Sequence, residues 1–300
     1  MLMDPNQKKV MPDIAQTEKS SFLSRLEWVG MEKVALPLTL KEGWQVPAEA
    51  DIFVNLAQEE AKGIHMSRLY LALQSGLEQK QISATLIQQL LKSFVESQKG
   101  LADSSRLVLR WNELHKRKAL LSEYAGWKNY PVEVVAECRQ DKVQINLKFS
   151  IFYSSACPCS AALARQLYQQ SFAKEFCEDN ISFQKVFNWL GATTVATPHS
   201  QRSRADIQML LKPGAESLSF LQYIDSLEKN LMTPVQTAVK REDEQEFARL
   251  NGENSMFVED ALRAMKKALN SFHTLESFQI KTHHFESLHA HDAVGSIHSK

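Results

Sequence analysis

From Val143 to Tyr153 the chain alternates without a break, with Val143, Ile145, Leu147, Phe149, Ile151 and Tyr153 on one side and Gln144, Asn146, Lys148 and Ser150 on the other. A period of two sends successive side chains to opposite faces of a strand. This stretch therefore specifies a β-strand with one face on a core, and a slip of one residue would invert both faces. Arg139 to Lys142 form the polar turn that leads into it. A strand this long needs neighbours and a covering layer, and the rest of the chain supplies candidates for both. Residues 28–40 alternate, with Pro37 marking an edge strand, and 46–57 read as extended. Leu107, Leu109 and Trp111 alternate, as do Ala205, Ile207, Met209 and Leu211 before Pro213-Gly214. Extended stretches over 272–286 and through Ile297 close the chain.

Between these runs the spacing becomes helical. A helix is predicted over 65–75, and a second over 83–98 sets Leu86, Leu90, Leu91, Phe94 and Val95 on one face. The second half has predicted helices over 161–176, 182–190, 217–230, 242–250 and 256–270. Strands interrupted by helix pairs indicate an α+β architecture. The expected organisation is a polar arm over 1–21, an N-terminal half over 22–155 and a C-terminal half over 156–300 with a helical insertion at about 161–197.

Charge and cysteine content narrow the function. Thirty-five basic residues balance thirty-five acidic ones, so no global field gathers nucleic acid or an anionic membrane, and a polyanionic ligand needs a local pocket. No apolar run approaches the ~20 residues of a membrane span, and the polar start of the chain lacks the apolar region of a secretory signal. The expectation is a cytoplasmic protein. Four cysteines are too few for a disulfide framework, and a bridge between Cys157 and Cys159 across one proline would be strained, so these read as reduced thiols. Six of the nine histidines, His273, His283, His284, His289, His291 and His298, crowd the last 28 residues.

Several segments can carry chemistry. Ser155-Ala-Cys-Pro-Cys-Ser160 sits at the end of the strongest strand, where a thiolate can be held at a fixed angle for metal or catalysis. Two buried small side chains are the plain alternative. His199 follows Pro198 in a polar loop, and Lys240-Arg-Glu-Asp-Glu244 reads in isolation as a charged helix start. Glu259 falls in a first helical turn, where capping would explain it. His289-Ala-His291 places two imidazoles on the same side of an extended strand. At Gly63-Ile-His-Met-Ser-Arg68, backbone N–H groups with His65, Ser67 and Arg68 can meet an anion at a helix start. P-loop, dinucleotide and zincin motifs are absent. The zinc-deaminase pattern fails on order and spacing, because C-P-C replaces P-C-x-x-C and His284-Phe-Glu286 lies downstream.

Taken together these segments resemble the type IB GTP cyclohydrolases. The matching pieces are Met11-Pro-Asp-Ile-Ala15, Gly63 to Arg68, Ser155 to Ser160, His199-Ser-Gln-Arg-Ser203, Lys240 to Glu244, Met256-Phe-Val-Glu-Asp260 and His289-Ala-His-Asp292, in family order over nearly the whole chain. The resemblance implies the tunnelling fold, two ββααββ-like halves with antiparallel sheets backed by helix pairs, assembled as a homotetramer. It implies conversion of GTP and water to 7,8-dihydroneopterin triphosphate and formate, the entry step to folate-type pterins. By the same resemblance Cys157, His199 and Glu244 hold a divalent metal (zinc, manganese or iron). Cys157, Cys159, His289 and His291 serve the chemistry, and Glu259 grips the guanine edge. His65, Arg68, Arg202, Arg204, Lys240 and Arg241 are candidates for binding the rest of the substrate. One departure stands out: the family places its ligand histidine shortly after C-P-C, whereas His199 follows Cys157 by 42 residues, with two predicted helices between. The other readings are a sister tunnelling-fold enzyme (a cyclic-phosphate-forming cyclohydrolase or a nitrile reductase) and a non-catalytic zinc-binding protein.

Overall fold

The computed structural model describes residues 15, 18–178 and 180–299. Residues 11–14 of the Met11 motif, and most of the expected polar arm, lie outside them. Eight strands are hydrogen-bonded in chain order: β1 (Leu26–Thr39), β2 (Gln45–Leu56), β3 (Ser104–Lys118), β4 (Ala125–Arg139), β5 (Lys142–Ala156), β6 (Ser200–Leu211), β7 (Leu275–His284) and β8 (Ala293–His298). Helices α1 (Met66–Leu77) and α2 (Ala84–Ser97) follow β2, and α3 (Pro158–Glu175) and α4 (Phe183–Ala192) separate β5 from β6. Helices α5 (Phe220–Leu231), α6 (Arg241–Glu253) and α7 (Val258–Leu269) precede β7. The α+β expectation is borne out, and β1 and β8 are the sheet's edges.

The chain divides into two compact units. The first comprises residues 1–112, 133–146 and 211–218. Here β1, β2 and β3 pair antiparallel, with Ile52 opposite Leu107 and Ala50 opposite Leu109. Alternate residues of these strands join Leu69, Leu73 and Leu77 of α1 and Leu86, Ile87, Leu90, Leu91 and Phe94 of α2 in a buried core. Ser83 caps α2 by accepting from the Leu86 N–H at 3.1 Å. Glycine is required at position 30, where a Cβ would stand 1.9 Å from the Ile52 carbonyl oxygen. Strand β4 has no counterpart among the strands predicted above. Val132, Val134, Ala136 and Cys138 are buried at alternate positions, but Gly126 and Pro131 break the pattern before them. The turn expected at Arg139 to Lys142 is a two-residue hairpin, with Gln140 and Asp141 both left-handed at φ 50° and 63°.

The second unit comprises residues 113–132, 147–210 and 219–300. Its core joins the inward residues of β5 (Leu147, Phe149, Ile151, Tyr153) to Phe220, Tyr223, Ile224 and Leu227 of α5 and Ala261, Leu262, Met265 and Leu269 of α7. Helix α5 starts three residues later than the spacing suggests, because Ser219 turns through a left-handed φ of 33°. A buried carboxylate, Glu228, accepts from Arg117 at 2.7 Å, Lys128 at 2.7 Å and Tyr130 at 2.9 Å. The expected insertion is a pair of helices with its own aromatic cluster, in which Tyr168, Phe172 and Phe176 meet Trp189 edge-on at 5.8–6.5 Å between ring centroids. Helix α4 buries no residue, and Phe183 and Phe187 of its outer face are exposed.

Candidate functional site

In the second unit, four segments distant in sequence are tied together by backbone hydrogen bonds at the end of β5. The Cys157 N–H donates to the His199 carbonyl at 3.2 Å, and the His199 N–H donates to Ser160 Oγ at 3.0 Å. The Met256 N–H donates to the Ala156 carbonyl at 3.0 Å, which sets the start of α7 beside the C-P-C turn. The Phe285 N–H donates to the Arg202 carbonyl at 3.2 Å, which fixes the exit of β7 against the start of β6. The 42-residue separation of Cys157 and His199 thus closes to one backbone hydrogen bond. Local chemistry explains the turn: Pro158 at the first helical position needs no N–H partner, and Cys157 stands at the N-cap of α3.

Cys157 and His199 are half-buried, whereas Cys159, Arg202, Lys240, Arg241, Glu244, Glu259, His289 and His291 are exposed. A cavity of about 520 Å³ lies beside the turn, lined by Glu244, Phe247 and Asn251 of α6, Arg165 and Tyr168 of α3, and Pro198 and Ser200 on either side of His199. The side chains of Cys157 and His199 do not line it. Among the described residues no three His, Cys, Asp or Glu side chains stand close enough to hold a metal. The thiol, imidazole and carboxylate suit a divalent ion by chemistry. Cys157 and His199 are neighbours, and Glu244 reaches the same region from α6.

Asp243, next to Glu244, is fully buried and anchors that helix start. It accepts from the Lys240 N–H, the Ser122 N–H and hydroxyl, and the Leu121 N–H, at 2.5–2.9 Å. Burial works against its charge, but these donors outweigh it and hold the carboxyl well below the usual carboxylate range. Capping explains Asp260 rather than Glu259: Asp260 accepts from the Phe257 N–H at 3.1 Å. Among the described residues no hydrogen-bond donor meets the Glu259 carboxylate, which leaves it available for a ligand. His289 and His291 stand in the bend between β7 and β8 and not on an extended strand, because pairing resumes only at Ala293. Their rings are nonetheless stacked, 5.1 Å apart and 11° from parallel. Lys240 lies over the Tyr124 ring at 4.6 Å. His65 and Arg68 belong to the first unit, at the start of α1, where Gln98 brackets the His65 backbone with bonds of 2.7 Å and 3.0 Å.

Sequence reasoning missed a layer of polar side chains beneath these residues. His284, 2% exposed, meets Tyr153 OH with Nε2 at 3.0 Å and Ser155 Oγ with Nδ1 at 3.2 Å. Tyr153 also meets Thr282 at 2.8 Å, and Ser155 meets Ser203 at 2.8 Å. Burial lowers the His284 pKa to about 4, against a smaller upward pull from the Glu259 carboxylate, and burial pushes Tyr153 up to about 12. Gln201 links this layer to His199, and Glu286 stands 3.9 Å from His199 Nδ1.

Comparisons with known proteins identify the family to which the chain belongs. Residues 11–295 match the family model described as type I GTP cyclohydrolase folE2. The chain is 44% identical over 290 residues to the GTP cyclohydrolase FolE2 of Pseudoalteromonas translucida (strain TAC 125), covering 95% of this chain and 96% of that protein. It is 45% identical over 288 residues to the GTP cyclohydrolase FolE2 of Pseudomonas putida (strain GB-1), covering 95% of each. Among solved structures, the urate oxidase of Bacillus sp. TB-90 is similar at a TM-score of 0.52 with 8% identity, over 91% of this chain and 99% of that one. That likeness is one of fold alone, and it bears out the tunnelling-fold expectation.

Proposed function

Since this chain belongs to the FolE2 family of type I GTP cyclohydrolases, we propose that it opens the guanine imidazole ring of GTP, releases formate and yields 7,8-dihydroneopterin triphosphate at the site formed around Cys157 and His199. The observation that carries the placement is the Cys157 to His199 backbone hydrogen bond, which restores across the insertion the adjacency such a site requires. Cys157, His199 and Glu244 would hold a divalent metal, whether zinc, manganese or iron. When bound, it supplies the electrophile that makes water nucleophilic near neutral pH. To complete the trio, Glu244 would have to approach from the exposed first turn of α6.

The chain's own groups do the rest. The free carboxylate of Glu259 accepts from the N1–H and 2-amino group of guanine, a bidentate arrangement that orients the base. Ring opening, loss of formate and reclosure all move protons, and the exposed imidazoles of His289 and His291, whose rings stack, would carry them with the Cys159 thiol. Positive charge for the triphosphate comes from Arg202, Lys240 and Arg241, and Arg165 adds a further cation on the cavity wall; His65 and Arg68, at the start of α1, are separate candidates for meeting an anion. The product serves as the first intermediate of folate-type pterin synthesis. A homotetramer is the assembly we propose, and the two open edges, β1 and β8, supply backbone groups for pairing between copies. Four free thiols suit a reducing, cytoplasmic setting. No helix among the described residues is long and apolar enough to cross a membrane.

The test is to incubate the metal-reconstituted protein with GTP, oxidise the product and measure neopterin fluorescence, with a chelator control. Chelator-sensitive fluorescence, abolished by Cys157→Ala and sharply reduced by His289→Ala, is expected. Intact GTP with zinc, manganese and iron each supplied would refute the assignment.

A further inference from the structure

Gln201, the second residue of β6, is buried, and both the nitrogen and the oxygen of its amide are hydrogen-bonded. Its Nε2 donates to Ser155 Oγ at 3.1 Å and points to Glu286 Oε1 at 3.4 Å. An ionised carboxylate only accepts, so the amide nitrogen must face Glu286 and the carbonyl must face the other way. That carbonyl, Oε1, lies 3.2 Å from His199 Nδ1. An amide carbonyl likewise only accepts, so Nδ1 carries the proton and Nε2 keeps its lone pair. Ser155 is itself held from below by Ser203 at 2.8 Å and His284 at 3.2 Å, so the anchor behind Gln201 is buried on every side. Among the described residues no group hydrogen-bonds His199 Nε2. The charged group facing this imidazole is Glu286, with Oε2 at 3.9 Å from Nδ1.

We infer that Gln201 is a positioning residue for His199: it holds the imidazole in its Nδ1–H form and in one orientation, which makes Nε2 the nitrogen that binds the metal. The inference rests on the reading of His199 as a metal ligand. Partners of this kind, one bond removed from an ion, raise the basicity of the ligating nitrogen and remove the cost of ordering the ring. The chemistry also explains why this side chain is an amide: a carboxylate in its place would oppose Glu286, and an aliphatic side chain would leave Nδ1 without its acceptor.

The experiment uses the full-length protein, stripped of metal, with zinc affinity measured by chelator competition. Gln201→Met keeps volume and removes all three hydrogen bonds of the amide, and it should weaken zinc by roughly 10- to 100-fold. Ser155→Ala removes only the anchor and should give a smaller loss in the same direction. The accompanying readout is the ring ¹⁵N spectrum of the metal-free protein, with the His199 signals identified by their absence in His199→Ala. Wild type should show a protonated Nδ1 and a bare Nε2 for His199, and Gln201→Met a mixture of both forms. Zinc binding by Gln201→Met within twofold of wild type, while His199→Ala loses the ion, would overturn the positioning role alone. Undiminished zinc binding by His199→Ala would instead overturn the ligand reading beneath it. If Gln201→Met does not fold, the wild-type ring spectrum still decides, because a His199 protonated at Nε2 contradicts the inference.

Discussion

Acidification should cost this protein stability through His284 before it protonates most carboxylates. The imidazole is buried and its two nitrogens are committed, and one assignment satisfies every group. Nε2–H donates to Tyr153, which donates to Thr282, which donates to the Arg204 carbonyl, while Nδ1 accepts from the Ser155 hydroxyl. A second ring proton would displace the Ser155 hydroxyl proton that Nδ1 now accepts, so Ser155 would have to turn that proton towards Ser203. Burial therefore holds the folded pKa at about 4 against an ordinary 6.5. Above pH 6.5 both folded and unfolded chains keep the ring neutral, so this stabilisation is intact. Between pH 6.5 and 4 the unfolded chain takes up a proton that the folded chain refuses, and stability falls with pH; below 4 the loss levels off. The full gap is worth at most ~3 kcal/mol, and the part lost between pH 7 and 5 is about 2 kcal/mol. That corresponds to roughly 4 °C in Tm. Thermal melts of wild type and His284→Gln across pH 5–7 isolate the effect, because the amide does not titrate. The variant should start less stable at pH 7 but decline less steeply, by about 2 kcal/mol over that window. Parallel slopes for the two proteins would refute the reasoning.

Other perturbations follow from the same geometry. Glu228→Ala strands Arg117 and Lys128 with no buried counter-charge, and urea unfolding should show a loss of about 3 kcal/mol or more. Asp243→Asn keeps one acceptor oxygen but loses the other and the charge, which weakens the tie between residues 121–122 and the start of α6. It should lower Tm and weaken zinc binding through the adjacent Glu244, whereas Asp260→Asn at the start of α7 should lower Tm without the loss of zinc. Asp243 contributes above the ordinary carboxylate range and its contribution is lost only as pH falls through its depressed folded pKa, so the difference between wild type and Asp243→Asn should persist at pH 4. Trp189→Ala removes the ring on which Tyr168, Phe172 and Phe176 converge, and limited proteolysis should then cut within residues 161–197 while the remainder of the chain keeps its resistance.

The strands with clean alternation, and the helices with a single apolar face, were legible because burial imposes period two or 3.6 on the sequence. β4 was not, since Gly126 and Pro131 interrupt its first half and only Val132 onward alternates. The candidate site residues stand out in the sequence as motifs: Cys157, His199 and Glu259 each stand where a strand or helix begins or ends, in segments that hydrogen bonds bring together. The polar layer beneath them had a signal that alternation contains. Along the inward face of β5 the apolar series gives way to Tyr153 and Ser155. The same happens at Gln201 and Ser203 on β6 and at Thr282 and His284 on β7. Three strands turning polar at inward positions near one end mark a place where the core is built for hydrogen bonding. What no pattern revealed was the pairing among them, which depends on register across strands more than 40 residues apart. Nor could spacing show that His289 and His291 sit in a bend, because their alternation matches a strand equally well.

The excursion between Cys157 and His199 departs from and returns to the same point, closed at its base by the Cys157 N–H to His199 carbonyl bond and by Ser160 Oγ. A joint of this kind makes site geometry insensitive to contour length: beyond the base, chain can be added or removed at the small, logarithmic entropic cost of a longer loop. The helices outside it are therefore free to diverge in length, surface and partner while the two flanking side chains keep their separation. Selection on what α3 and α4 touch and selection on the chemistry next to β5 can proceed independently within one polypeptide.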